Sequence, residues 1–275
     1  MIIQLLARFI MRCPEVIIMI FETIAIYGLI YLVGTAIKKN PKVLEKPVEL
    51  AQNQWAKHLG RTVLIFGSQG SGKSTFNNFM FGRSHQATQS GQITETNQGK
   101  STSFEMPNGK RIFIKKSFDM PGDEFFYFLK PSEIVEANRY IFCFSLCDIN
   151  TTTGEKDHIF QSGTLFIDTE SPKWQHICNN FDNFCREMER CLQHELNEER
   201  KLLFFCNKMD FWPSGNDAHP PFWYKVQSLL KERPHYQALQ KLITIQWESG
   251  CFKQEYNSAI LLEKRTKDAL ARLFD

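Results

Sequence analysis

The chain has 275 residues, of which 43% are hydrophobic and 23% charged. A mean hydropathy of −0.32 excludes a protein of many membrane spans, and the charged and aromatic content excludes a disordered chain. With 33 basic against 30 acidic residues the formal charge is +3, far from the basic bias of a nucleic-acid binder, so no nucleic-acid partner is expected.

Residues 16–37 form a 22-residue apolar run in which Glu22 is the only charge. As a helix the run would span ~33 Å, enough for a bilayer core of about 30 Å. It is longer than the apolar region of a signal peptide and ends in Lys38 and Lys39 rather than at a small-residue cleavage site. We therefore read residues 16–37 as one uncleaved transmembrane helix, with a buried core helix as the bland alternative. Residues 1–12, which carry Arg8 and Arg12, suit a short interfacial helix. Lys38, Lys39, Lys42 and Lys46 favour a cytosolic C-terminal side. Residues 1–47 are thus read as anchor and linker, and residues 48–275 as one domain opened by a helix at 49–59. The expected location is a membrane, single-pass, with the domain facing the cytosol.

Residues 61–66 are a β-branched and apolar strand pattern. Gly67, Ser68, Gln69, Gly70, Ser71, Gly72, Lys73 and Ser74 follow at once, a GxxxxGK[ST] pattern ahead of a helix expected from Thr75 to residue 81. The backbone N–H groups of such a loop, with the helix N-terminus that Thr75 opens, point at a phosphate anion. Lys73 sets a positive charge against the terminal phosphates, and the Ser74 hydroxyl can ligate magnesium. Strands at 101–106 and 111–118 are joined through Asn108-Gly109, a hairpin-turn pair. The second strand ends at Asp119-Met120-Pro121-Gly122, where Asp119 would hold magnesium through water and the Gly122 N–H would sense the terminal phosphate.

A doubly buried strand at 140–146 comes next. The 147–172 segment is longer than a simple connection and reads as holding a small extra strand at 163–168; it is a candidate partner surface or a structural decoration. A long helix is expected from about 173 to 197. Its Cys178, Cys185, Cys191 and His194 match no zinc spacing, and the eight cysteines form no CxxC pair, as free thiols in a reducing compartment do.

The strand at 201–206 ends in Asn207-Lys208-Met209-Asp210. In this NKxD pattern Asp210 can accept two hydrogen bonds, from the ring N–H and the exocyclic amine of guanine. Adenine lacks that donor pair and would leave the carboxylate unpaired. The Lys208 stem would pack on the base, and Asn207 would tie the base loop to the phosphate loop. The three motifs together point to GTP and GDP with Mg2+.

From about residue 60 to 275 the chain resembles the Ras-like P-loop GTPases of the translation-factor-related superclass. The resemblance implies an α/β fold: three layers, a mostly parallel six-stranded sheet with one antiparallel hairpin strand, and helices on both faces. It implies a switch threonine that ligates magnesium, for which spacing from Ser74 favours Thr94 or Thr96, Thr94 being preferred. It also implies a last base contact after a strand at 242–247, for which Ser249, Gly250 and Cys251 are a loose match. A closing amphipathic helix at 254–274 completes the domain. The span-then-domain architecture is similar to that of the Arf-like signal recognition particle receptor beta subunit. Asp123 stands where Ras-like enzymes carry a water-orienting glutamine, which implies slow hydrolysis and a protein partner, such as a GTPase-activating factor that supplies an arginine. Alternatively Asp123 points to solvent and another residue, or none, places the water. The reading is a membrane-anchored Mg-GTP switch with Lys73, Thr94, Gly122 and Asp123 around the reacting phosphate. The alternative is a nucleotide-dependent membrane receptor or scaffold with little or no hydrolysis. No feature indicates an oligomeric state.

Overall fold

The computed structural model describes residues 23–24, 60–68, 70–80, 97–99, 102–105, 111–119, 131–149, 156–159, 167–194, 200–208, 221–250 and 259–274. Of the run at 16–37 only Thr23 and Ile24 are among them, and both are helical. Among the described residues no helix is long and apolar enough to cross a membrane. The helix expected at 49–59 also lies outside them.

The elements in chain order are β1 (Arg61–Gly67), α1 (Lys73–Met80), β2 (Asn97–Gly99), β3 (Thr102–Glu105), β4 (Arg111–Asp119), α2 (Pro131–Glu136), β5 (Arg139–Ser145), β6 (Cys147–Ile149) and β7 (Lys156–His158). They continue as α3 (Pro172–Leu192), β8 (Lys201–Asn207), α4 (Pro221–Lys231), α5 (Pro234–Leu239), β9 (Thr244–Ser249) and α6 (Ala259–Phe274). The main sheet runs β2-β4-β1-β5-β8-β9, with β3 also paired to β4. The pairs β4–β1, β1–β5, β5–β8 and β8–β9 are parallel, and the β2 and β3 pairings with β4 are antiparallel. The sheet thus has seven strands where six were expected. The difference lies at the hairpin edge: Gly99 faces Ser117 and Thr102 faces Ile114, so β2 and β3 lie in one register along a single edge of β4.

Strands β1, β5 and β8 are apolar in continuous runs because both faces of the sheet are covered. Their period-two alternation divides the core. Leu64, Phe66, Phe142 and Phe204 join Phe181 and Phe184 of α3 and Trp223 of α4 on one face. Val63, Ile65, Ile141 and Phe205 join Phe76 of α1 and Leu270 and Leu273 of α6 on the other. This is a three-layer α/β arrangement.

Helix α3 starts where Ser171 accepts a hydrogen bond from the Trp174 N–H at 3.2 Å, with Pro172 in the first turn. It ends at Leu192, earlier than 197. Strand β9 begins at Thr244, not 242, because Leu242 still belongs to the turn after α5, donating its N–H to Leu239 O at 2.9 Å. Among the described residues of the 147–172 segment, β6 and β7 pair as an antiparallel ribbon. Of the strand expected at 163–168 only Ile167 and Asp168 are described. The aromatic residues at 220–223 serve the core: Phe222 and Trp223 are buried, and the Trp223 ring lies 6.3 Å from that of Phe144. Two further aromatic stretches that the sequence offers for a partner or for core packing, residues 125–129 and 211–213, lie outside the described residues.

Candidate functional site

Because β4, β1, β5, β8 and β9 run parallel, their C-terminal ends gather at one edge of the sheet. β1 is flanked by β4 on one side and β5 on the other, so the chain order reverses around it. Such a switch point leaves a crevice outside the strand ends, the usual ligand position in open α/β sheets. Gly67 closes β1 opposite Cys143 of β5, and Asp119 of β4 pairs with Ile65 of β1. Ser145 and Asn207 end β5 and β8 side by side, and Ser249 ends β9 opposite Cys206.

The loop between β1 and α1 turns back on itself through glycines in left-handed backbone regions, φ 134° at Gly67 and φ 88° at Gly72. A Cβ on Gly67 would lie 1.8 Å from Cys143 O, and one on Gly72 would lie 2.0 Å from Asn207 Nδ2. The glycines therefore answer to close backbone approach as well as to turn geometry. Lys73 is 7% exposed and its Nζ donates to Ser68 O at 2.7 Å, while the Ser71 N–H reaches the same carbonyl at 3.2 Å. The lysine ammonium is thus folded over the loop. Ser74 and Thr75, in the first turn of α1, are half-buried. The first-turn N–H groups of a helix have no intrahelical acceptor and favour an anion.

Ser71 is 2% exposed, and among the described residues its Oγ has no hydrogen-bond partner. A buried unsatisfied hydroxyl costs about 1–3 kcal/mol. A phosphate oxygen in the loop would satisfy it. The Asn207 Nδ2 donates to Ser71 O at 3.1 Å, so the end of β8 is tied to the loop. The next residue, Lys208, has φ 63°, a left-handed turn that takes the chain sharply off the strand.

Ser249 ends β9 and Gly250 follows it, and the amides of both are engaged within the protein. Ser249 is 0% exposed and its N–H donates to Glu248 Oε1 at 3.0 Å. The Gly250 N–H donates to Cys206 O at 2.9 Å, extending the β8–β9 ladder by one residue. A Cβ on Gly250 would lie 2.7 Å from Thr266 Oγ1 of α6 and 2.9 Å from the Phe205 ring. Its smallness serves the contact between sheet and helix. Gln69, Thr94, Gly122, Asp123 and Asp210 lie outside the described residues, as does Cys251; Asp119 is placed by its backbone.

Behind the loop stands α3. Its Asn180, which no motif marks, donates from Nδ2 to Ser68 Oγ at 2.8 Å. The signal in the sequence was an asparagine inside an apolar helical stripe. Burial pushes the thiols of Cys178 and Cys185 on the same helix up from the usual thiol range, Cys185 the more strongly, with Asp182 adding to both. Both are buried packing residues. Among the described residues no cluster of His, Cys, Asp and Glu could hold a metal.

No family model and no curated protein matches the chain. Among solved structures it is similar to the Arl6 BBS3 small GTPase from Trypanosoma brucei with a bound nucleotide analogue, GppNp, at 16% identity and a TM-score of 0.44, covering 78% of this chain and 95% of that one. It is also similar to two variants of SsGBP, at 14% identity and a TM-score of 0.41 for one and 15% and 0.40 for the other. The matches cover 80% and 78% of this chain but only 59% and 56% of the SsGBP chains, under two thirds of their length.

Proposed function

We propose that this chain is a membrane-anchored GTP-binding protein that switches between Mg-GTP and GDP and hydrolyses GTP slowly. The observation that carries the reading is the tie between the two recognition loops: the Asn207 Nδ2 bond to Ser71 O at 3.1 Å joins the start of the NKxD segment to a phosphate-type loop. A base held beyond Asn207 and a phosphate chain held by residues 67–75 would then lie on one crevice.

The residues divide the work by chemistry. Gly67, Ser68, Gln69, Gly70, Ser71 and Gly72 supply backbone N–H groups to the phosphates, and the Ser71 hydroxyl gains an acceptor. Lys73 exchanges Ser68 O for phosphate oxygens, a stronger, charge-assisted contact. Asp210 reads guanine, and the Lys208 stem covers the base. Ser249, Gly250 and Cys251, at and just after the end of β9, are the candidates for the last base contact. The donor set available for Mg2+ fits a hard cation, being all oxygen: Ser74 in the first turn of α1, Asp119 at the neighbouring strand end, and Thr94 from the switch segment. When bound, the ion would neutralise charge on the β- and γ-phosphates. Gly122 would sense the γ-phosphate, and Asp123, an acceptor without an amide donor, would place the attacking water poorly.

That same Asp123 favours a second reading, a receptor or scaffold that holds GTP and hardly turns it over. One preparation tests both. The full chain, purified in detergent, is expected to retain GDP or GTP against excess ATP. Asp210→Asn is expected to shift preference from guanine to xanthine nucleotides by at least about tenfold. Single-turnover hydrolysis slower than unassisted Ras supports the slow switch, and none at all supports the scaffold. Preference for ATP would sink both.

A further inference from the structure

We propose that Asn180 of α3 is a positioning residue of the phosphate loop, holding Ser68 so that Lys73 stands ready for a phosphate and a bound nucleotide leaves slowly. The proposal rests on the phosphate-loop reading above and adds a residue that none of its motifs contains.

Asn180 lies near the middle of a 21-residue helix. Asparagine is a weak helix former, because its side chain competes for backbone hydrogen bonds. It is only 7% exposed, on the flank of a buried stripe that includes Ile177, Phe181 and Phe184. An apolar residue there would suit both the helix and the core better. A buried amide is tolerated when it is hydrogen-bonded, and this one is. Its Nδ2 lies 2.8 Å from Ser68 Oγ, 112 positions away in the chain, and 3.1 Å from His176 Nε2, one turn earlier on α3. The two N–H groups of the amide suffice for both contacts.

The residue so gripped is the pivot of the loop. Ser68 O takes both the Ser71 N–H and the Lys73 ammonium. Asn180, Ser68 and Lys73 therefore form one chain of hydrogen bonds from the helix layer to the cation. Holding the Ser68 side chain restrains the loop at the residue whose carbonyl Lys73 and Ser71 share. Without the grip, that ordering has to be supplied when a phosphate binds, which weakens binding.

The test is a double-mutant cycle on the full chain in detergent, reading release of fluorescent GDP and of pyrophosphate together with thermal unfolding. The variants are Asn180→Leu, which has a similar branched shape and a higher helix propensity, Asn180→Ala, which serves if leucine does not fold, Ser68→Ala, and the double variants. Each single variant is expected to release its ligand about tenfold faster, the effect of one hydrogen bond. The double variant should be no faster than the singles, and Asn180→Leu should melt no lower than the wild type. Unchanged release with a lowered melting temperature would show a merely structural amide and overturn the proposal. Additive effects of the two sites would overturn it as well. If the wild type held pyrophosphate but no guanine nucleotide, the guanine reading would fall while the pyrophosphate cycle still decided Asn180. A wild type that held neither would overturn both.

Discussion

The three described glycines of the loop look alike as letters and differ in what surrounds them. A methyl group on Gly67 meets Cys143 O at 1.8 Å, backbone that cannot move without parting β1 from β5. On Gly72 it meets the Asn207 amide at 2.0 Å, a side chain that can turn away but would then lose Ser71. On Gly70, φ 75°, it meets nothing within 4 Å and bears only the cost of a left-handed backbone. The expected order in thermal melts follows. Gly70→Ala loses about 1 kcal/mol. Gly72→Ala loses more and also weakens nucleotide binding. Gly67→Ala does not yield a stably folded protein. Equal losses at all three would show that turn geometry alone places these glycines. At this scale the loop, Lys73 and Asn207 were legible from spacing. Asn180 was not, because a hydrogen bond across 112 positions leaves no periodic trace. For Ser249 and Gly250 the spacing did not show that their amides are engaged within the protein, since a loose motif does not say where a ladder ends.

At the scale of elements, helix α3 links the insert to the site. It is anchored at one end by the Ser171 cap and along its length by Arg233 to Asp182 at 2.6 Å and His235 Nδ1 to Glu189 at 3.0 Å, both from the start of α5. Ser171→Ala removes the acceptor for the Trp174 N–H and is expected to cost about 1 kcal/mol, with Ser171→Asp close to wild type. Denaturant unfolding reads both, and an alanine variant as stable as wild type would show that Pro172 alone starts the helix. The types of the main elements followed from pattern: continuous apolar runs for β1, β5 and β8, and a 3.6-residue stripe for α3. Boundaries did not. Leu242 and Ile243 read as strand because they are apolar, yet they close the turn after α5 with Ile243 buried. An apolar pair reports burial and not backbone conformation.

For the whole molecule, an average hydropathy near that of a soluble protein conceals a 22-residue apolar run with lysines after it. The proposed anchor makes a plain prediction. The full chain expressed in cells is expected to stay in the membrane pellet through alkaline carbonate extraction. Recovery in the supernatant would remove the anchor from the proposal and leave the nucleotide site untouched. The sequence by itself determined the parallel α/β plan, the phosphate-type loop at the end of the first strand and the order of the three motifs. Those are local properties, written in period, spacing and residue type. Tertiary structure alone decided which strand ends meet, that Asn207 reaches Ser71, that Gly250 makes room for Thr266 on α6, and that Asn180 reaches through to the loop. Each depends on segments distant in the chain being brought within a few ångströms, and close contact of that kind is fixed by packing of the two apolar faces.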